Sequence, residues 1–163
     1  KLLTQYDFCK FSGILGPKRK EHDRQIPEGL YHIDRFNPKS KFHLSLGINY
    51  PNASDAILSH QEHPGNDIFI HGGCSTVGCV PIGDSDIMEL YTIADRAQSI
   101  GQKNIPVYMF PLDFSKANVE TLYSTYPKHA DFWQNLKIAY DSLSMNKSFL
   151  EFNVDEKGAY ICK

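Results

Sequence analysis

The sequence predicts a mainly β, α+β fold in which a few helices flank a β-rich core. Two observations predict it: strand-like runs separated by turns fill the first half of the chain, and amphipathic helical patterns follow in the second half. The chain has 163 residues, which is enough for one domain with a sizeable core and too few for two. We therefore expect a single domain over residues 1–163.

Five runs are typical of β-strands. Residues 42–48 (FHLSLGI) alternate apolar and polar side chains, as a half-buried strand does. Residues 67–71 (DIFIH) and 106–110 (PVYMF) are short runs rich in β-prone side chains. Two further strands are predicted over residues 149–154 and 159–162. Pro, Gly and Asn residues typical of turns separate the early runs, at residues 27–29, 50–52 and 64–66.

Helical spacing of apolar residues appears in three segments. Asp84 or Ser85 can cap the first helix, and Gly101 can end it. Ser115 can cap a second helix over residues 116–123. A third helix is predicted over residues 128–143. We interpret its apolar face as core; that face consists of Phe132, Trp133, Leu136, Ala139, Tyr140 and Leu143.

Composition and charge argue against two classes of function. The net charge of -2 and the pI near 6.4 give no general attraction to nucleic acid. No apolar run approaches the roughly 20 residues of a membrane-spanning helix. The sequence begins at Lys1 without an initiator Met or a signal-like segment, so we expect a mature chain whose export signal has been removed.

The segment that carries most chemical information is residues 70–84 (IHGGCSTVGCVPIGD). A β-prone run ends at His71, and Cys79 follows eight residues later, directly after Gly78. Cysteine attacks as the thiolate, and a nearby histidine can take the thiol proton because its pKa lies near neutral pH. The segment therefore predicts Cys79 as a nucleophile and His71 as its general base.

The glycines of this segment fit the same chemistry. The carbonyl of Gly72 is close enough along the chain to accept the second N–H of His71 and orient its ring. Because Gly78 has no Cβ, the backbone can turn sharply there and direct the N–H groups of Gly78 and Cys79 at a developing oxyanion.

Other roles for the cysteines stay open at this point. His71, Cys74 and Cys79 are three possible zinc ligands, although their spacing is not a familiar structural pattern and no fourth ligand is obvious. A disulfide between Cys74 and Cys79 would remove the nucleophile. Cys9 and Cys162 lie near the two ends of the chain, so they are either a terminal disulfide or two buried free thiols.

Residues 71–84 (HGGCSTVGCVPIGD) resemble the active-site signature of the L,D-transpeptidase catalytic domain (YkuD-type), specifically its YafK-like branch, which has a compact His-Gly-x-Cys-x-x-x-Gly-Cys run. Residues 16–33 (GPKRKEHDRQIPEGLYHI) are similar to the family's GPK-x-x-GD-x-x-TPEG-x-Y-x-I segment. Residues 42–52 (FHLSLGINYPN) are similar to its FYLSLNIGYPN strand and turn, and residues 131–143 to its aromatic helix.

The resemblance implies a role for each matching residue. Cys79 is the nucleophile, His71 the base and the Gly72 carbonyl its orienting group. The amides of Gly78 and Cys79 form the oxyanion hole, and Cys74 takes the position of the family's second, non-catalytic cysteine. The implied fold is the family's β-sandwich-like catalytic domain with flanking helices, a monomer without metal or organic cofactor.

The resemblance also implies a substrate. Members of the family attack peptidoglycan stem peptides, at the carbonyl of a diamino acid joined to a D-amino acid, and form a thioester. An amine then resolves the thioester to a cross-link or a protein attachment, or water resolves it to hydrolysis. An envelope protein or lipoprotein is the expected acceptor or leaving group, and the periplasm or the cell envelope is the expected location.

Three positions depart from the family pattern: His22 replaces a Gly, Ile26 replaces a Thr, and Pro81 replaces an Arg of the wider family. Two alternative functions stay open beside L,D-transpeptidation, namely L,D-hydrolysis that includes lipoprotein detachment, and a non-catalytic peptidoglycan-binding module. A zinc-stabilised domain is a further structural alternative. The predicted substrate-binding residues are Lys18, Arg19, His43, Ser45, Asn49, Tyr50 and Thr76.

Overall fold

The computed structural model describes residues 2–60 and 62–163. Its strands are β1 (Gly29–Asn37), β2 (Ser45–Ile48), β3 (Phe69–His71), β4 (Val80–Pro81), β5 (Pro106–Met109), β6 (Phe152–Val154) and β7 (Tyr160–Cys162). Its α-helices are α1 (Ala53–Leu58), α2 (Asp84–Ser99), α3 (Val119–Thr125) and α4 (Ala130–Asn146), and a short 3₁₀ helix, Pro127–His129, precedes α4. None of the helices among these residues has the length and apolar character to span a bilayer.

A mixed five-stranded sheet in the order β4-β3-β2-β1-β5 organises the fold, and β6 and β7 form a separate two-stranded ribbon. Four adjacent strands of the large sheet, β3, β2, β1 and β5, pair antiparallel with one another. The exception is β4, which pairs parallel with β3, with Ile70 opposite Val80 and His71 opposite Pro81. The edge of the sheet formed by β3 and β4 therefore contains the segment that the sequence singles out.

Strand β1 pairs with both β2 and β5, and apolar groups cover both of its faces. Leu30 packs in one cluster with Trp133 of α4, whereas its neighbour Tyr31, which points to the opposite face, packs with Ile48 and Tyr50. Burial on both faces suits a near-continuous run of apolar and aromatic residues. The sheet is thus fixed from both sides around β1.

Helix α4 forms the third part of the core. Trp133, Leu136 and Ala139 of α4 are completely buried and pack against Leu30 of β1 and Tyr160 of the ribbon. These three residues recur at the three-residue spacing of one helix face, as predicted. The prediction that the α4 aromatic face is core is confirmed for Trp133.

The α+β class is confirmed, although helix residues outnumber strand residues, at 30% against 17%. All five predicted strands are observed within three residues of their expected bounds, and strands β1 and β4 and helix α1 were not predicted as separate elements. The predicted Ser115 cap is wrong: α3 begins four residues later, where the Asn118 side chain accepts from the Thr121 N–H. Local cap signals were ambiguous because Ser115 and Asn118 are both good capping residues.

The cysteines pair differently from every arrangement predicted from the sequence. Cys9 forms a disulfide with Cys74, while Cys79 and Cys162 are free thiols. The terminal Cys9–Cys162 bridge and the Cys74–Cys79 bridge are therefore both wrong. The Cys9 N–H also donates to the Pro81 carbonyl at 3.0 Å, so the N-terminal segment lies along the open edge of β4.

We expect Cys9→Ser to lower the free energy of unfolding by about 2–4 kcal/mol, because the disulfide closes a loop between residues 65 apart and constrains the unfolded chain. Urea denaturation measures the loss, and reductant should reproduce it in the wild type. Cys162→Ser, which removes a free thiol, is the control and should cost less than about 1 kcal/mol. Equal stability of the Cys9→Ser variant and the wild type would contradict the assignment.

Candidate active site

His71 is the last residue of β3 and is only 2% exposed. It lies opposite Ser45 of β2 on one side and opposite Pro81 of β4 on the other. Cys79 directly precedes β4, so the loop of residues 72–79 connects the two neighbouring strands. The pairing of β3 with β4 thus brings the predicted base and the predicted nucleophile to adjacent strands.

The His71 ring is oriented by its own neighbour in sequence. Its Nδ1 lies 2.5 Å from the Gly72 carbonyl oxygen. Since a carbonyl can only accept, Nδ1 carries the proton and Nε2 of the neutral ring has the free lone pair. The Phe42 ring packs against the imidazole with 4.6 Å between ring centroids and is itself partly exposed. Sequence reasoning missed Phe42, although it begins the strand-like run of residues 42–48.

Gly72 lies in a space that no side chain can share. A Cβ at this position would come within 2.5 Å of the Phe42 carbonyl oxygen and 2.6 Å of Asp84 Oδ1. The next residue, Gly73, donates its N–H to the same Asp84 oxygen at 2.7 Å. Asp84 is therefore a residue of this site.

The sequence predicted Asp84 or Ser85 as a helix cap, which is wrong, because Gly83 is the N-cap of α2 and Asp84 is its first residue. The place of Asp84 in the motif of residues 71–84 was the available signal for a role in the site.

The Cys79 thiol is half-buried and donates to the Asp67 carbonyl, with 3.7 Å between Sγ and oxygen. Among the described residues, this carbonyl rather than His71 is the recorded partner of the thiol. Burial raises the pKa of Cys79, and the Phe69 N–H and the charge of Lys18 oppose this effect. In this resting position the thiol is a weak nucleophile at neutral pH.

Thr76 holds the loop together from within. Its hydroxyl donates to the Cys79 carbonyl at 2.7 Å and accepts from the Gly78 N–H at 3.2 Å. The Gly78 N–H is therefore occupied, which argues against its predicted place in an oxyanion hole and gives Thr76 a contact inside the loop instead of one to substrate. Gly78 itself has a φ of 133°, a conformation that favours glycine.

The two predicted basic contacts point into the protein. Lys18 is 5% exposed, and its Nζ donates to Asp23 Oδ1 at 2.8 Å. The Arg19 guanidinium lies 3.5 Å from Asp55 Oδ1 and 4.5 Å from the centroid of the Phe132 ring. Both cations are thus partnered by acids or rings of this chain, so a direct contact with a substrate carboxylate has no support from their positions.

Buried acids surround Arg19. Glu28 is 6% exposed and accepts from the Trp133 indole N–H at 2.6 Å. Burial raises the pKa of Glu28 to about 7, against the opposing effects of the Trp133 bond and the Arg19 charge. Burial likewise raises the pKa of Asp55 to about 6, although Tyr31 donates to it. This cluster connects the segment of residues 16–33 to helix α4.

Glu28 makes a specific contribution to the pH dependence of stability. Its pKa is about 7 in the folded protein, above the ordinary value of 4.5. The stability that it contributes is therefore present below pH 4.5 and is lost as the pH rises through 7. We expect the wild type to lose about 3 kcal/mol relative to Glu28→Gln between pH 4.5 and pH 7.5.

Urea unfolding at several pH values measures this difference. Asp55→Asn is the matched control, since it should remove a separate loss that lies between pH 3.8 and about 6. If the free energies of unfolding of the wild type and Glu28→Gln depend on pH in the same way, the pKa of Glu28 is the same in the folded and unfolded protein and the prediction is contradicted.

The remaining predicted substrate residues divide into two pairs. His43 is exposed and packs beside Gly72, and Ser45 is opposite His71, so both lie next to the candidate site. Asn49 Oδ1, by contrast, accepts from the His32 N–H at 2.8 Å. Tyr50 is buried, and its hydroxyl donates to the Pro64 carbonyl at 2.8 Å. Asn49 and Tyr50 therefore stabilise the sheet and its following turn.

The zinc interpretation loses a ligand, because Cys74 is bound to Cys9. Across residues 2–60 and 62–163, no group of three or more His, Cys, Asp or Glu side chains is arranged to hold a metal ion. A zinc site of His71, Cys74 and Cys79 is thus contradicted.

Comparison with known proteins identifies the family. The family model of the YkuD L,D-transpeptidase catalytic domain matches residues 10–109, more than half of the chain. This chain belongs to the YkuD family. The match contains His71, Cys79 and Asp84 and ends with β5, so the matched residues do not include α3, α4 or the β6–β7 ribbon.

Individual relatives extend this likeness. The chain is 34% identical over 143 residues to "Putative L,D-transpeptidase YafK" of Escherichia coli (strain K12), covering 86% of this chain and 56% of that protein. This YkuD chain therefore spans only about half the length of the curated relative.

Two solved structures of the helical cell shape determining protein Pgp2 from Campylobacter jejuni are also similar to this chain. One has a TM-score of 0.47 and 25% identity over 61% of this chain and 36% of Pgp2. The other, a single-residue variant, has a TM-score of 0.49 and 24% identity over 83% of this chain and 47% of Pgp2.

The geometry predicts unequal reactivity of the thiols in the YkuD domain. Without reductant, we expect iodoacetamide to modify Cys79 faster than Cys162. Burial raises the pKa of both thiols, but Cys79 directly precedes the strand that pairs with the strand of His71. His71→Ala should slow Cys79 roughly tenfold, because the histidine assists thiolate formation. Mass spectrometry of modified peptides gives both rates.

His43→Ala is the matched control for this experiment, since His43 is an exposed histidine beside the same turn. It should leave the rate at Cys79 within twofold of the wild type. Equal rates at Cys79 and Cys162, with no effect of His71→Ala, would contradict the pairing of Cys79 with His71.

Proposed function

We propose that this YkuD domain is a cysteine acyltransferase that acts on peptidoglycan stem peptides through a Cys79 thioester. The observation that carries the proposal is the orientation of His71. The Gly72 carbonyl accepts a hydrogen bond from the Nδ1–H group, so that Nε2 is the basic atom of a buried ring on the strand beside Cys79. Membership of the YkuD family supports peptidoglycan as the substrate class.

The first half of the reaction forms the thioester. His71 Nε2 takes the Cys79 proton, and the thiolate attacks the carbonyl carbon between a diamino acid and a D-amino acid. The tetrahedral intermediate expels the D-amino acid, whose amine leaves with the proton from the imidazolium. In the second half, His71 takes a proton from an acceptor amine, the amine attacks the thioester, and the Cys79 thiol is restored.

The thiol has to turn before the first step. It rests against the carbonyl of Asp67, which precedes β3, whereas His71 is the last residue of that strand. A rotation about the Cα–Cβ bond toward His71 exchanges the carbonyl for the imidazole and permits the ion pair. The charge of the buried Lys18 ammonium favours the negative sulfur, and it therefore opposes the rise in the pKa of Cys79 that burial causes. Lys18 thus acts in the proposal at a distance, without touching the substrate.

The oxyanion is stabilised in the proposal by the backbone N–H of Cys79. The Gly78 N–H donates to Thr76 Oγ1 at 3.2 Å. It becomes a second oxyanion donor only if it exchanges this long hydrogen bond for the stronger hydrogen bond to the charged oxygen. Thr76 keeps this part of the loop in one conformation, which a preorganised donor requires.

Hydrolysis is a second candidate because the loop beside Cys79 is open to solvent. Cys74 and Ser75 are exposed, and Val77 is 73% exposed. Water that reaches the thioester would release a shortened peptide instead of a cross-link. In that case the domain is an L,D-peptide hydrolase, and a stem peptide joined to a lipoprotein is a possible substrate.

Incubation with purified muropeptides, with products identified by mass, tests both reactions. We expect the wild type to release the terminal D-amino acid and to form dimers, and Cys79→Ala to do neither. Shortened monomers without dimers would establish the hydrolase. Asn49→Ala is a control, because Asn49 bonds to the His32 N–H within the sheet and has no part in the proposed reaction. This variant should retain the wild-type product pattern if the protein stays folded.

Two results would overturn the proposal. Turnover by Cys79→Ala would exclude the thioester, and binding of muropeptides without any turnover by the wild type would favour a non-catalytic binding module. Detection of the mass of an acylated Cys79 in rapidly quenched mixtures would identify the intermediate directly.

We further propose that the protein acts in the periplasm or on the cell envelope, as a monomer. The Cys9–Cys74 disulfide supports this location, because structural disulfides persist in oxidising compartments. Fractionation of cells that make the full-length protein checks the location, and recovery in the cytoplasm with reduced Cys9 and Cys74 would contradict it.

A further inference from the structure

One peptide group lies between His71 and an acidic side chain. The Gly72 C=O and the Gly73 N–H are the two ends of a single planar peptide unit. The C=O end is 2.5 Å from His71 Nδ1, and the N–H end is 2.7 Å from Asp84 Oδ1. Imidazole, peptide and carboxylate therefore form one continuous chain of hydrogen bonds.

We propose that Asp84 is a positioning residue for the reaction proposed above, acting on His71 through the Gly72–Gly73 peptide. It fixes the plane of that peptide, and its negative charge strengthens the bond from the imidazole to the Gly72 carbonyl. The inference rests on the proposed function, because it assigns Asp84 a role in the activity of His71.

The peptide needs an external anchor because glycine lies on both sides of it. Gly73 has a φ of 62°, and neither residue has a Cβ to restrict rotation. A peptide free to rotate would carry the Gly72 carbonyl away from Nδ1 and release the ring. The Asp84 oxygen holds the opposite end and blocks that rotation.

Helix α2 provides a rigid support for the carboxylate. Asp84 is its first residue, the Ile87 N–H donates to the Gly83 carbonyl at 3.1 Å, and Ile87 is completely buried under the sheet. Packing of Ile87 thus determines where the first turn lies, and with it the Asp84 oxygen. A negative charge is also favourable in the first turn of a helix.

The charge has an effect beyond geometry. Hydrogen bonds in a chain polarise one another, and a carboxylate is a stronger acceptor than a neutral group. Asp84 therefore makes the Gly72 carbonyl a better acceptor and stabilises the protonated His71 that accompanies the Cys79 thiolate. Without the charge, the thiolate should form only at higher pH.

The other groups around this arrangement come from the neighbouring elements. His43, before β2, packs beside Gly72, and Cys79 precedes β4. Lys18 and Asp67 face Cys79 and act on its pKa with opposite signs. These four residues remain unchanged in the variants below, so a difference between variants in the pH dependence of Cys79 alkylation results from the change at position 84.

The test compares Asp84→Asn and Asp84→Ala with the wild type in the pH dependence of Cys79 alkylation by iodoacetamide, between pH 5 and pH 9. Asparagine still accepts the Gly73 N–H but has no charge, whereas alanine removes both effects. We expect the rate at pH 7 to fall about threefold in Asp84→Asn and about tenfold in Asp84→Ala, with the midpoint at higher pH in both.

Asp86→Asn is the matched control. Asp86 lies in the same first turn and has the same charge, but the recorded partner of the Gly73 N–H is Asp84. Its rate and midpoint should stay within twofold of the wild type. Circular dichroism and thermal unfolding establish that each variant is folded.

The proposal is overturned if folded Asp84→Asn keeps the wild-type rate and midpoint, whether or not Asp84→Ala folds. This failure is distinct from failure of the proposed function, which would appear as muropeptide turnover that survives Cys79→Ala, or as Cys79 alkylation unaffected by His71→Ala. Equal effects of Asp86→Asn and Asp84→Asn on the alkylation rate would also overturn the proposal, since the loss of any negative charge in the first turn of α2 would then explain them.

Discussion

The parallel pairing of β3 with β4 is the constraint on which the candidate site depends. Parallel neighbours normally need a connection of a dozen or more residues, whereas only residues 72–79 join these two strands. A connection this short has no room for a helix and has to turn tightly beside the sheet. It therefore keeps Cys79 next to the strand that ends in His71, and every other feature of the site serves to hold this turn.

The turn is held by contacts within the protein at nearly every residue. Gly72 fits between a carbonyl and a carboxylate, and the Thr76 hydroxyl bonds to the Gly78 N–H and the Cys79 carbonyl. Cys74 is attached to the N-terminal segment through its disulfide with Cys9. From residue type alone, some of the backbone and side-chain groups in these contacts would be predicted to bind the substrate. The loop is therefore preorganised, and fewer of its polar atoms remain available to bind a substrate.

The part of the chain outside the family model is joined to the same framework. Trp133 of α4 bonds to Glu28, and the Tyr160 hydroxyl accepts from the Leu30 N–H, so that α4 and the ribbon both contact the region of β1. Arg19 lies among these groups. The C-terminal helices thus stabilise the segment that contains Lys18, whose charge acts on Cys79. Packing remote from the thiol is in this way connected with the electrostatics at the sulfur.

The sequence by itself determined the α+β class, the long helices, and His71 and Cys79 as the pair to examine. These follow from periodicity, from residue chemistry and from a motif, all of which are local. Only the tertiary structure decided that Cys9 pairs with Cys74, since four cysteines allow three full pairings and the choice depends on distance in space. It likewise decided that Lys18, Arg19, Asn49 and Tyr50 face inward, and that Asp84 meets the Gly72–Gly73 peptide. Orientation and contact between distant residues are set by how the sheet and helices pack, which no single segment contains.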